Sequence, residues 1–98
     1  MTDHAGTAPD LTMYTELIEG FLGSSVGAEH FSSEYIARQK RDRRLLGEPW
    51  YRILTDLFIA CDDHVADPTM RTDPHDLDDD QLLKAARTAR ARLAALGV

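Results

Sequence analysis

The sequence contains little cysteine and no long hydrophobic segment. Cys61 is the single cysteine among 98 residues, which excludes an internal disulfide framework and gives no indication of secretion. No apolar run approaches the roughly 18 residues that a membrane-spanning helix needs. The first residues also lack the basic and then apolar order of a signal peptide. The expectation is one cytoplasmic domain without membrane contact.

Motifs for catalysis and for cofactor binding are also missing. The four histidines are scattered without metal-ligand spacing, and the sequence has no H-E-x-x-H, no C-x-x-C and no glycine-rich phosphate loop. His64 and Cys61 both fall on the apolar side of the third predicted helix, which favours structural roles for them. The sequence therefore predicts that the protein is not an enzyme and uses no cofactor.

One acidic segment only superficially resembles a calcium-binding loop. Asp76, Asp78 and Asp80 alternate as the first ligands of such a loop do. However, the sixth loop position is Gln81 instead of glycine, and the twelfth is Arg87 instead of glutamate. No metal site is predicted here, and a metal-dependent protein built on this segment is a minor alternative.

Basic residues are nearly absent from one part of the chain. Residues 48–80 contain ten carboxylates and two basic residues, a local charge of −8 (2 − 10) in a chain whose net charge is −6. The rest of the chain has nine basic and seven acidic residues. Acid segregated in this way indicates a cationic protein partner. Direct nucleic-acid binding is disfavoured because phosphate contacts need lysine and arginine. Imitation of a polyanion is the leading hypothesis.

Hydrophobic periodicity predicts helices and no strands. Apolar residues recur at three- and four-residue spacing, with breaks at glycine and proline. The first ten residues have no such period and are expected to form a flexible arm before a single domain at 11–98. Asp78 and Gln81 have the spacing of a capping box at the start of the last helix. The predicted helices span about 11–22, 27–46, 49–66 and 79–96. The expected fold is an all-α antiparallel four-helix bundle.

The third predicted helix carries acids that local stability does not explain. Asp56 lies in the middle of the helix, and three later aspartates lie near its C-terminus, where negative charge opposes the helix dipole. Helical geometry places Asp56, Asp63 and Asp67 within about 40° of each other on one flank of the apolar stripe. Ile59 lies opposite that stripe and is a candidate apolar anchor, although packing against a neighbouring helix or the N-terminal arm is an equal alternative. The predicted partner-binding residues are Asp56, Ile59, Asp62, Asp63, Asp67, Asp73 and Asp76.

A basic run, Arg38 to Arg44, lies at the end of the second predicted helix. The helix dipole explains part of it, because positive charge is favoured near a helix C-terminus. Three other interpretations are open: pairing with the acidic side of the same chain, pairing with a second copy, and contact with DNA. The excess of acid disfavours DNA. The free protein is expected to be a monomer or a weak dimer.

The order of features along the chain resembles a known family. The series consists of LIEGFL at 17–22, AEHF at 28–31, Tyr35, the basic run, DLFIACD at 56–62, Asp67-Pro68 and LDDDQL at 77–82. Over about residues 11–96 this series resembles the colicin D-like immunity proteins, which are bacterial self-protection proteins. The resemblance implies a four-helix bundle without catalytic activity.

The resemblance also implies a partner. Members of that family bind the cytotoxic domain of a cognate toxin, a tRNA-cleaving nuclease in the best-known case, and present acidic side chains to the cationic cleft that would hold RNA. By position, Asp56 and Asp62 match the family's acidic positions. The many arginines and the proline-containing loop depart from the family pattern, so another class of toxin is open. The alternative function is a non-catalytic adaptor or regulatory bundle that docks a basic protein.

Overall fold

Four amphipathic helices account for the fold. The computed structural model describes residues 9–65, 67–70, 72 and 76–98. The helices are α1 (Thr12–Leu22), α2 (Ala28–Arg41), α3 (Trp50–Asp63) and α4 (Asp79–Ala95), with a 3-10 turn at Pro68–Met70 between the last two. The described residues contain no strand, and none of the described helices is long and apolar enough to cross a membrane. The predicted all-α four-helix bundle is confirmed.

Each helix turns one apolar face toward a shared core. Leucine, isoleucine and alanine side chains fill most of this core, and stacked rings join α1 to α2. Phe21 and Phe31 lie 4.5 Å apart between ring centroids, and Tyr35 lies 5.8 Å from Phe31. Aromatic pairs of this kind add about 0.5–1.5 kcal/mol beyond the burial of their area. Tyr14 of α1 also lies 5.7 Å from Tyr35, so this pair and the Phe21–Phe31 pair fix the register of α1 against α2.

Consecutive helices run in opposite directions. At one end of the α1–α2 pair, the Met13 carbonyl accepts a hydrogen bond from Arg38 Nη1 at 2.6 Å, and at the other end Phe21 stacks on Phe31. Each helix packs against its neighbours in sequence, and α4 closes the bundle against α1. Among the described residues, the α1 and α3 backbones do not approach each other closely, and the two helices lie diagonally across the bundle.

The second helix ends at Arg41, earlier than the predicted end near Leu46. Asp42 leaves the helix with an extended backbone, and its carboxylate accepts hydrogen bonds from Tyr14 Oη at 2.7 Å and from the Arg44 backbone N–H at 3.1 Å. Aspartate side chains that bond in this way compete with helix continuation. The local bond to the Arg44 N–H therefore favours an end of α2 at this point, and the contact with Tyr14 holds Asp42 in place, although the apolar period continues.

The third helix ends at Asp63, short of the predicted end near residue 66. His64 is extended and forms a parallel bridge with Leu77. The Val65 backbone N–H donates to the Leu77 carbonyl at 3.0 Å, and the Leu77 N–H donates to the Asp63 carbonyl at 2.9 Å. Asp67 is therefore not on α3, and its predicted place on the flank of that helix is wrong. The same bridge ties the end of α3 to the start of α4.

The capping box of α4 is confirmed. The Asp78 carboxylate accepts a hydrogen bond from the Gln81 backbone N–H at 2.8 Å, and Gln81 Oε1 accepts one from the Asp78 N–H at 2.9 Å. Two N–H groups that the helix cannot bond internally are satisfied in this way.

We expect Asp78→Ala to lower the free energy of unfolding by about 1 kcal/mol, because it removes the capping acceptor. Asp78→Asn keeps an acceptor oxygen and is the matched control, with a smaller loss expected. Urea unfolding of the three proteins measures the difference. An Asp78→Ala protein as stable as the wild type would show that the cap does not stabilise α4.

Candidate functional site

Aspartates gather where α3 ends and α4 begins. The bridge between residues 63–65 and Leu77 places these two helix termini side by side. Among the described residues between Ala60 and Leu83 there is no lysine and no arginine. We call this surface the acidic end, and its members are Asp62, Asp63, Asp67, Asp76, Asp78, Asp79 and Asp80.

Part of the acidic end serves local structure. Asp78 caps α4, as described above, and Asp67 Oδ1 accepts hydrogen bonds from Thr69 N at 3.0 Å and from Thr69 Oγ1 at 2.8 Å. Asp79 contacts His64. The carboxylates that accept no hydrogen bond from any described residue are those of Asp62, Asp63 and Asp80.

His64 joins the two helices beneath this surface. Its imidazole is 3% exposed, and Nε2 lies 2.7 Å from Asp79 Oδ1. Asp79 belongs to the first turn of α4. The histidine therefore links α3 to α4 through a carboxylate, and it fixes the position of one member of the acidic end.

Asp56 does not belong to the acidic end. It lies on the side of α3 that faces α4, where Arg92 Nη1 donates to Asp56 Oδ2 at 2.9 Å. Both side chains are partly exposed, so a pair of this kind contributes only about 0–1 kcal/mol to stability. The pair sits at the edge of a groove of about 330 Å³ between α3 and α4. The partner on α4 explains the mid-helix acid that sequence reasoning could not assign to a cap.

The other predicted binding residues have different positions. Ile59 is 52% exposed on the outward side of α3, one turn before Asp62 and Asp63. Asp76 lies beside Leu77 of the bridge and belongs to the acidic end. Asp73 lies outside the described residues. The structure thus brings together five of the seven predicted residues near the end of α3, and Asp56 points elsewhere.

The basic run lies at the opposite end of α3. Some of its side chains form ion pairs and hydrogen bonds within the chain. Arg38 Nε pairs with Glu34 at 2.9 Å, and Arg44 Nη1 donates to the Asp10 carbonyl at 2.6 Å. Arg44 also pairs with Asp42 at 2.9 Å. These contacts hold the N-terminus of α1 against the end of α2. Since a helix rises 1.5 Å per residue, about 20 Å separates this basic region from the acidic end.

Two residues that could carry chemistry are engaged structurally. Cys61 is buried in the core, and desolvation raises the pKa of its thiol to about 12, so it is a neutral packing group at physiological pH. His64 is held by Asp79. In the part of the chain that the structure describes, no three histidine, cysteine, aspartate or glutamate side chains come close enough to hold a metal ion.

The described residues form a small helical bundle whose aspartates cluster where α3 ends and α4 begins. The family model for bacterial self-protective colicin-like immunity matches residues 10–93 of the chain. The chain belongs to this family. Comparisons with curated proteins and with solved structures gave no match. The family-level prediction made from the sequence is confirmed.

Proposed function

We propose that this colicin-like immunity protein neutralises a toxin nuclease by placing its acidic end in the cationic cleft that otherwise holds the RNA backbone. The observation that carries the proposal is the gathering of seven aspartates at one end of the bundle, with no lysine or arginine among the described residues there. Family membership supports a toxin as the partner. The proposal places the protein in the cytoplasm, as a monomer or weak dimer before it meets the toxin.

The proposed mechanism is electrostatic and steric occlusion. The carboxylates of Asp62, Asp63 and Asp80, which accept no hydrogen bond within the described part of the chain, can accept charge-assisted hydrogen bonds from lysine and arginine side chains of the cleft. A complementary field of this kind raises association rates toward roughly 10⁸ M⁻¹s⁻¹ at low salt. The His64–Asp79 contact and the capping box hold the first turn of α4 in place, so little ordering is needed on binding.

Titration of the toxin's activity tests this function. The probe is the purified C-terminal domain of the toxin encoded beside this chain's gene, assayed for RNA cleavage as the immunity protein is added. Loss of cleavage at one immunity protein per toxin domain is the expected result. A basic partner that binds tightly but has no toxic activity would support the adaptor alternative instead. Undiminished cleavage in the presence of excess protein would contradict the proposal.

Breaking the Asp56–Arg92 pair is expected to raise the rate of association with the toxin domain. Arg92→Gln releases the Asp56 carboxylate and makes the chain more negative, so association with the cationic toxin domain should become faster by a few fold at low salt. Stability should fall by no more than about 1 kcal/mol, because the pair is partly exposed. Stopped-flow mixing measures the rate. Arg87→Gln is the matched control, since Arg87 is an exposed arginine of α4 that meets no described acid. An equal gain in both variants would show that only net charge matters.

A further inference from the structure

A groove opens between the α1–α2 turn and the first turns of α4. It has a volume of about 330 Å³, and the residues that line it include Phe21, Ser25, Val26, Asp79, Asp80 and Leu83. No lysine or arginine is among its described lining residues. We call it the turn groove. Because α4 begins here, the turn groove adjoins the acidic end and gives that end a recess beside its exposed carboxylates.

The turn groove combines apolar walls with carboxylates. Phe21 is buried, and Val26 and Leu83 are half-buried against the core. Asp79 and Asp80 are exposed, and the Asp80 carboxylate accepts no hydrogen bond from a described residue. An apolar recess beside such a carboxylate fits a side chain that has an aliphatic stem and a cationic head.

Formal charges decide the sign of the electric field in the turn groove. The N-termini of α2 and α4 meet there and carry about half a positive charge each, while the C-terminus of α1 carries about half a negative charge. The first turns of α2 and α4 contain Glu29, Asp79 and Asp80, and the last turn of α1 contains no basic residue. Three carboxylates outweigh the net charge of about one half that the helix ends contribute. The field therefore favours a cation.

We infer that the turn groove binds an arginine side chain of the same toxin domain that the acidic end attracts. The aliphatic stem packs between Val26 and Leu83, and the guanidinium pairs with Asp80. Arginine fits better than lysine, because its planar head can donate two parallel hydrogen bonds to one carboxylate. This inference rests on the proposed function and deepens it, because it names the recess and the side chain that hold the complex together.

Both sides of the turn groove are fixed by bonds within the chain. On one side, the Ser25 and Val26 N–H groups donate to the Gly20 carbonyl at 2.7 and 3.4 Å. On the other side, the capping box and the contact between His64 and Asp79 hold the first turn of α4. A groove that is already formed needs little ordering on binding.

An anchor in the groove and the charges around it have separate kinetic roles. Exposed charges act mainly on the rate of association, whereas an anchor that is enclosed in the complex acts mainly on the rate of dissociation. Blocking the turn groove should therefore shorten the life of the complex without slowing its formation.

Filling the turn groove tests the inference without changing a charge. We expect Ser25→Trp to raise the rate of dissociation from the toxin domain encoded beside this gene about tenfold or more, and to change the association rate less than about twofold. Ser33→Trp is the matched control, because Ser33 is exposed on α2 and does not line the groove. If Ser25→Trp dissociates no faster than Ser33→Trp, the groove holds no side chain of the toxin and the inference is overturned.

A second pair of variants tests the carboxylate. Asp80→Asn and Asp63→Asn each remove one charge from the acidic end, but Asp63 does not line the turn groove. Both variants should associate more slowly, and only Asp80→Asn should also dissociate faster, by about tenfold. Equal dissociation rates for the two variants would contradict a bond to Asp80 in the groove.

Double-mutant cycles identify the occupant. Each arginine of the toxin domain is replaced with alanine in turn, and its effect on affinity is measured against the wild-type chain and against Asp80→Asn. One arginine should lose about fivefold less affinity in the Asp80→Asn background, because its partner is already absent. Additive effects for every arginine would overturn the assignment of arginine.

The outcomes separate this inference from the proposed function. If the wild-type chain silences the toxin domain but the groove variants behave like their controls, the inference fails and the proposed function stands. A toxin domain that the wild-type chain neither binds nor silences overturns both. Urea unfolding of every variant shows whether a faster dissociation comes from the groove or from a loss of fold.

Discussion

Replacing Asp62 and Asp63 with asparagine is expected to slow association with the toxin domain at least tenfold at low salt, without lowering stability. Both residues lie in the last turn of α3, and their carboxylates accept no hydrogen bond from a described residue. Negative charge at a helix C-terminus opposes the dipole by about 0.3–1 kcal/mol for each residue. The double variant should therefore be as stable as the wild type or slightly more stable, although it associates with the toxin domain more slowly.

Stopped-flow mixing and urea unfolding measure the two effects together. Glu16→Gln/Glu48→Gln is the matched control, because it removes the same charge from exposed positions on α1 and before α3, away from the acidic end. We expect this control to associate nearly as fast as the wild type. If the two double variants are slowed equally, the net charge of the chain is responsible rather than the acidic end. An unchanged rate for the Asp62 and Asp63 variant would place the binding surface elsewhere.

Replacing Asp42 with alanine is expected to lower the free energy of unfolding by about 2–4 kcal/mol, the largest stability loss predicted for a charged residue here. The Asp42 side chain is 7% exposed and accepts hydrogen bonds from Tyr14 Oη at 2.7 Å and Arg44 Nε at 3.0 Å. Without it, the buried Tyr14 hydroxyl loses its acceptor. The end of α2 also loses one of its links to α1, while the bond from Arg38 to the Met13 carbonyl remains.

Stability should depend on pH through the same group. The Arg44 hydrogen bonds hold the pKa of Asp42 well below its usual value of 3.8, against the opposing effect of burial. A lowered pKa in the folded state means that the contribution is fully present above about pH 4 and is lost as the pH falls further. Urea unfolding at neutral and acidic pH measures this loss.

Asp42→Asn is the control for the charge, because it keeps an acceptor for Tyr14 but cannot ionise. We expect a smaller loss of stability than for Asp42→Ala, and a weaker decline with acid than the wild type shows. If Asp42→Ala is as stable as the wild type, the contact between Asp42 and Tyr14 does not hold α1 to α2.

The sequence predicted what depends on local pattern. Four helices follow from the spacing of apolar residues, and the start of α4 follows from Asp78 and Gln81, which lie three residues apart. The exposed position of Ile59 follows from helical geometry alone. In each of these cases the groups that decide the structure are neighbours along the chain.

The features that the sequence could not predict depend on distant contacts. Asp42, at which α2 ends, is bonded to Tyr14, 28 residues away. Asp56 is paired with Arg92, 36 residues away, and neither partner indicates the other without the packing of α3 against α4. The end of α3 likewise depends on a bridge from His64 to Leu77. Hydrophobic periodicity does not predict these contacts, because the residues come together only when the helices pack.

Competition with RNA is the most direct measurement of acidic mimicry. A catalytically inactive variant of the toxin domain would be loaded with fluorescently labelled RNA, and the immunity protein would be titrated into the complex. Mimicry predicts that the protein displaces the RNA completely, with an apparent affinity that weakens in proportion to the RNA concentration. A stable complex of toxin domain, RNA and immunity protein would contradict it, because the acidic end would then lie outside the cleft that holds the substrate.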